Sequence, residues 1–115
     1  MTKNPHTVRP IVLVPADNRV LAGHPFHVAG KKYVDAVRLA GCLPLVVPWV
    51  SADEVDELLV HADGVLLTGS PSNVHPSHFG EEVHNPELPL DPARDEWTLP
   101  LTRKALAQGV PLLAI

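Results

Sequence analysis

The sequence predicts an α/β domain, a parallel sheet sandwiched between two layers of helices. Two observations carry that expectation. Short apolar runs recur at Ile11–Val14, Leu43–Val47, Val65–Leu67 and Pro111–Ile115, and they do not alternate with polar residues. Unbroken runs of this kind read as strands covered on both faces, which is the habit of parallel sheets. Helical patterns lie between them, and strand–helix alternation places helices on both sheet faces. A strand order of 2-1-3-4, numbered by these runs, is expected. The third run then breaks into Thr68-Gly69-Ser70-Pro71-Ser72-Asn73, all turn-formers. Small residues at the carboxyl end of a parallel strand are where such sheets place ligands. Gly69 allows positive φ and omits a Cβ, so a ligand can approach the backbone closely. An ordinary strand-to-loop turn has the same composition.

Residues 1–9 read as a flexible lead-in, and residues 10–115 as the folded part. Pro15 closes the first strand, and residues 15–30 read as a long loop holding Asp17, Asn18, Arg19, His24, Phe26 and His27. Loops of that length are commonly functional. From Lys31 a helix is expected with Tyr33, Val34, Val37 and Ala40 on one face, ended by Gly41. The second strand is Leu43–Val47. Ser51-Ala52-Asp53-Glu54 has the spacing of a capping box, opening a helix whose Val55, Leu58, Leu59 and Ala62 face one way. After the third strand, residues 75–90 read as loop. Asp91-Pro92 is an N-cap followed by proline at the first helical position. That helix runs to about Gln108 with Trp97, Leu101, Ala105 and, at its margin, Leu106 on the buried side. Pro100 inside it removes a hydrogen bond to Glu96 and predicts a kink. Gly109 ends it, and Pro111–Ile115 is a fourth buried strand. The two helix exits, Leu39–Leu45 and Leu106–Leu112, match in residue type, as one loop chemistry used twice.

Composition limits the function classes. A length of 115 residues suffices for one core. A net charge of −4 with dispersed Lys and Arg argues against nucleic acid and anionic membranes as partners. The amino terminus has no apolar signal-like run, and one cysteine excludes an internal disulfide framework and fits a reducing, cytoplasmic compartment. A fourth strand with no helix after it would leave a sheet edge bare, so a larger α/β domain is expected, of which these residues are a piece.

Several segments together resemble the class I glutamine amidotransferase-like hydrolases, in the γ-glutamyl-γ-aminobutyrate hydrolase branch. They are Thr68–Val74, Phe79-Gly80-Glu81, Asp91–Asp95 and Gly109–Ile115, with Gly23–His27 and Lys32-Tyr33 matching the first loop and helix. The resemblance spans residues 10–115, in the family's order. It implies a flavodoxin-like three-layer sandwich, continued beyond the fourth strand where these residues stop, and hydrolysis of γ-glutamyl amide bonds by a Cys-His-Glu triad. It places the cysteine nucleophile directly after Ile115 and the other two members further on. The 115 residues alone are then expected to be inactive, with no catalytic residue of the triad among them. What they supply is part of the oxyanion hole, first Gly69 and second Ser70, since Ser70 replaces a glycine common in the family. Tetrahedral intermediates of acyl transfer need such amides where negative charge develops. The implied partner is a small-molecule γ-glutamyl substrate. No cofactor or metal is implied, and homo-oligomerisation is left open.

Other side chains fall into place around this reading. A γ-glutamyl group carries an α-ammonium and an α-carboxylate, which suit a carboxylate and a guanidinium. Asp17 and Arg19 are candidates, with a solvated loop as the plainer reading, and His24, Phe26, Asn73 and Glu81 are further candidates for substrate binding. Arg94 and Asp95 sit in the first turn of the last helix, where Asp95 complements the dipole as structural support. Cys42 follows the stop of the first helix, at the amino end of the sheet, and reads as packing. His24, His27, His75, His78 and His84 fall in two loops, but without coordination spacing a metal is not expected. The alternative class is a non-catalytic flavodoxin-like module in which Thr68-Gly69-Ser70 holds a small anion, although no Gly-rich turn follows the first strand. A lobe of a small-molecule binding protein is a third reading.

Overall fold

Leu13 and Val14 are neighbours in sequence and both are fully buried. Neighbouring strand residues point to opposite faces, so the sheet is covered on both sides at this point. A computed structural model describes residues 8–72, 74–83, 85, 87 and 89–115. The parallel sheet consists of β1 (Ile11–Pro15), β4 (Leu43–Val47), β5 (Gly64–Leu67) and β6 (Leu112–Ala114), in the order β4-β1-β5-β6. Counted by the apolar runs this is the predicted 2-1-3-4. Its helices are α1 (Lys31–Leu39), α2 (Ala52–His61) and α3 (Pro92–Gln108), and β2 (Asp17–Leu21) pairs with β3 (His24–Val28) in a separate hairpin.

The two faces hold separate cores. On one, Leu13, Val47 and Val65 pack with Val55 and Leu59 of α2 and Trp97, Leu101 and Ala105 of α3. On the other, Val14 and Leu66 meet Val37 of α1, with Tyr33 and Cys42 at the margin. Both helix starts expected from sequence are present. Ser51 Oγ accepts from the Glu54 amide at 3.3 Å, and Glu54 Oε1 accepts from the Ser51 amide at 2.9 Å. Asp91 Oδ1 accepts from the Arg94 amide at 3.0 Å. The two helix exits are the same motif. Gly41 and Gly109 have φ of +82° and +71°, and the next amides, Cys42 and Val110, donate to Val37 and Ala105 at 3.1 and 2.9 Å. Each is a Schellman closure.

Three expectations are corrected. Residues 15–30 are not a loop, since most of them form the β2–β3 hairpin, whose turn residues Ala22 and Gly23 have φ of +50° and +80°. Such a turn is usually announced by Asn-Gly or Asp-Gly, and here Ala22 takes the left-handed position instead. Pro25 fits because each strand of a two-stranded ribbon is an edge. The fourth run is an edge strand, with Leu113 62% and Ile115 67% exposed rather than buried. Leu106 lies off the buried face of α3, 67% exposed. The helix α3 spans Pro92–Gln108 with Pro100 inside it. Of the expected lead-in, residues 1–7 lie outside the described residues, and Val8 and Arg9 are exposed.

Candidate active site

β5 ends at Leu67, and Thr68, Gly69 and Ser70 emerge at the carboxyl end of the sheet beside the start of α1. Gly69 is not among the glycines with positive φ. Its missing Cβ answers a different need, because a Cβ there would stand 2.8 Å from the Tyr33 hydroxyl oxygen. Gly30 is bare for the same reason, with the Tyr33 ring 2.9 Å from where its Cβ would be. Tyr33 is thus seated between two glycines, with its hydroxyl against the Gly69 backbone. Sequence periodicity assigned Tyr33 to packing and gave no signal for this second role.

A cavity of about 560 Å³ opens here, lined by Asp17, Arg19, Lys32, Tyr33, Gly69 and Ser70 among others. Asp17, Arg19 and Leu21 share one face of β2 by the strand's period of two, and all three line it. Among the described residues the Gly69 amide donates to no acceptor. Ser70 Oγ is turned into its own loop, accepting from the Ser72 amide at 3.2 Å and lying 2.9 Å from Ser72 Oγ.

Behind the cavity is a charged layer shielded from solvent. Arg94 Nε lies 3.2 Å from Asp17 Oδ1, and Arg94 Nη2 donates to the Thr68 carbonyl at 2.9 Å. The ion pair is close in distance but poorly aligned, so neither Nε nor Oδ1 has a true hydrogen bond. Asp91 ties the hairpin to α3, since its carboxylate accepts from the Asn18 amide at 2.8 Å and from Asn18 Nδ2 at 2.9 Å. Asp95 is buried and accepts from the His75 amide at 2.8 Å, the structural role expected of it.

The structure therefore brings Asp17, Arg19, Gly69 and Ser70 together. The solvated reading of Asp17 is wrong, because it is only 9% exposed. Phe26 lies with Arg19 at a separate hollow on the hairpin, while His24 and Glu81 line neither space. Asn73 and His84 lie outside the described residues. In the sequence Arg94 stood out as a cation in a first helical turn, where the dipole disfavours it, and as part of the Asp91–Asp95 segment, but neither signal told of its contact with Thr68. Cys42 is half-buried at the amino end of β4, against the Val14–Leu66 core. Among the described residues no three His, Cys, Asp or Glu side chains converge as a metal site, and no helix is long and apolar enough to cross a membrane.

Comparison with known proteins agrees with this architecture. The family model of Peptidase C26 matches residues 10–115. A γ-glutamyl-γ-aminobutyrate hydrolase of Escherichia coli O157:H7 is 36% identical over 108 residues, covering 92% of this chain and 42% of the relative. Its counterpart in Escherichia coli K12 is 35% identical with the same coverage. A putative glutamine amidotransferase-like protein of Rickettsia prowazekii is 27% identical over 94 residues, 82% of this chain and 33% of that protein. The chain thus spans about two fifths of the length of the curated hydrolases it matches. With its parallel β4-β1-β5-β6 sheet and flanking helices, it belongs to the Peptidase C26 family.

Proposed function

We propose that these residues supply the oxyanion-binding side of a cytoplasmic, cysteine-dependent hydrolase of γ-glutamyl amide bonds, with γ-glutamyl-γ-aminobutyrate as the type of substrate. The observation that carries the reading is the Gly69 amide, without an acceptor among the described residues, on a residue that lines a polar cavity at the carboxyl end of the sheet, in a chain akin to such hydrolases. In the proposed reaction a cysteine thiolate attacks the γ-carbonyl carbon. The carbonyl oxygen gains negative charge as the C=O bond opens, and the Gly69 N–H meets it, with the Ser70 amide as a second candidate donor. The amine leaves as the carbonyl re-forms, and water then releases glutamate from the acyl-cysteine. On this reading the cysteine and its His and Glu partners belong to a parent protein that continues beyond Ile115, and residues 1–115 by themselves would have no turnover. Arg19, on the cavity face of β2, is the guanidinium for the substrate α-carboxylate. Asp17, already held by Arg94, forms the floor beneath it.

The test is kinetic, on the full-length protein. Gly69→Pro removes the donor, and kcat on γ-glutamyl-γ-aminobutyrate should fall about a hundredfold or more. A melting curve accompanies it, because proline can also distort the loop. Undiminished turnover in a folded variant would discard Gly69 as the donor, and a parent protein inert towards γ-glutamyl amides would discard the function.

A further inference from the structure

We infer that Arg94 is a positioning residue for the proposed γ-glutamyl chemistry, one that fixes the direction in which the Gly69 N–H points. The inference rests on the reading of Gly69 above and adds which amide donates and what aims it. Thr68 C=O and Gly69 N–H belong to one peptide unit. That unit is planar and trans, so its carbonyl and its N–H point in opposite directions. A group that fixes the carbonyl therefore fixes the N–H. Arg94 Nη2 donates to this carbonyl at 2.9 Å from the first turn of α3, and Arg94 is not among the residues lining the cavity. The Gly69 N–H accordingly points away from Arg94 and has no acceptor among the described residues. Among the described residues the Gly69–Ser70 peptide has no such hold on its carbonyl, which separates the two candidate donors.

Two further features say the contact is more than incidental packing. A cation at the third position of a helix opposes the dipole, and a residue kept against local preference signals a tertiary task. Asp17 compensates it. With side chains 14% and 12% exposed, Arg94 and Asp17 form a pair little screened by water, holding the guanidinium against the Thr68 carbonyl. Hydrogen bonding by a cation to the carbonyl also polarises the amide, making its N–H a stronger donor to an oxyanion.

The experiment compares the full-length parent with Arg94→Gln and Arg94→Lys, labelled with 15N-glycine. The readouts are kcat and KM on γ-glutamyl-γ-aminobutyrate and the Gly69 amide resonance. Arg94→Gln should lower kcat about tenfold or more with KM within about twofold, because the donor is needed most in the transition state. The Gly69 resonance should move while those of Gly41 and Gly109, at the far end of the sheet, stay in place. Arg94→Lys keeps a cation that reaches one acceptor at a time, and should fall between the two. If Arg94→Gln does not fold, Arg94→Lys alone must show the same split, with a moved Gly69 resonance. An active parent whose folded variants keep their kcat, or whose Gly69 resonance does not shift, overturns the inference while leaving the hydrolase reading intact. A parent with no turnover defeats the hydrolase reading first, and this inference with it.

Discussion

The two ends of the parallel sheet are built on different plans. At the amino end, α1 and α3 enter their strands through the same closure, with a left-handed glycine followed by an amide that reaches back five residues. Asp63 adds a tie, its carboxylate accepting from the Ile11 amide at 2.8 Å. Apart from that tie, these contacts are local, repeated and made by the backbone. At the carboxyl end nothing repeats. Asp17, Asn18, Thr68, Asp91 and Arg94 come from three separate segments and engage one another by side chains. One end solves the problem of turning a helix into a strand, and the other is specific to what this chain holds there. Variants at the amino end should therefore change stability alone, and variants in the charged layer at the carboxyl end should reach activity.

The scale for both is set by the core between them. Leu66 is 6% exposed on β5, one residue before the strand's last, and packs with Val14 and Val37. Leu66→Ala should cost roughly 2–5 kcal/mol in denaturant unfolding, more than any change at either end. A loss below about 0.5 kcal/mol would mean the face above Leu66 is not packed.

Next in size is Asp91→Ala. It removes a helix cap worth about 0.5–2 kcal/mol and strips the charged acceptor from Asn18. We expect a loss of about 2 kcal/mol, together with faster hydrogen exchange in the β2–β3 hairpin. Loss of stability with an unchanged hairpin would show that Asp91 caps α3 and does nothing else.

The amino end gives a matched pair. Gly41→Ala and Gly109→Ala place a Cβ where nothing lies within 4 Å, so only the left-handed backbone opposes them. Each should cost about 1–2 kcal/mol, with kcat of the full-length protein untouched. Costs differing by more than about 1 kcal/mol would break the claim that the two exits are one device.

This contrast also explains what could be read in advance. The amino end is written in local grammar, in which Gly41 and Gly109 each state their own conformation, and the helix starts at Ser51 and Asp91-Pro92, although at the carboxyl end, are equally local. Those elements and the strand order were legible. The place of Gly69 after a strand, at the carboxyl end of the sheet, was legible, but the reason for its bareness was not. That reason is the Tyr33 hydroxyl, 36 residues away in sequence, and no local pattern encodes such a meeting. The hairpin was missed because its strands carry polar and exposed residues, with Val20 73% exposed, so no apolar alternation marks them. Asp17 looked solvated for want of its partner, Arg94.

The smallest effect tests whether membership of the site, rather than mere position at the carboxyl end, is what matters. α2 also begins at that end, but its capping box is exposed and touches none of the charged layer. Glu54 is held below its ordinary carboxylate pKa, first by the hydrogen bond from the Ser51 backbone and then by the Ser51 side chain. A lowered pKa in the folded state means the contribution is fully present above the unfolded-state value and is lost as pH falls through the folded one. Glu54→Gln keeps an acceptor of the same reach, so a capping box can still form while the charge is gone. The parent should melt slightly above this variant at neutral pH, and the gap should close as pH falls from about 5 to about 3. Activity of the full-length protein should be the same for both at neutral pH. A gap that widens on acidification would reverse the assigned sign, and a change in kcat would extend the functional region across the whole carboxyl end of the sheet.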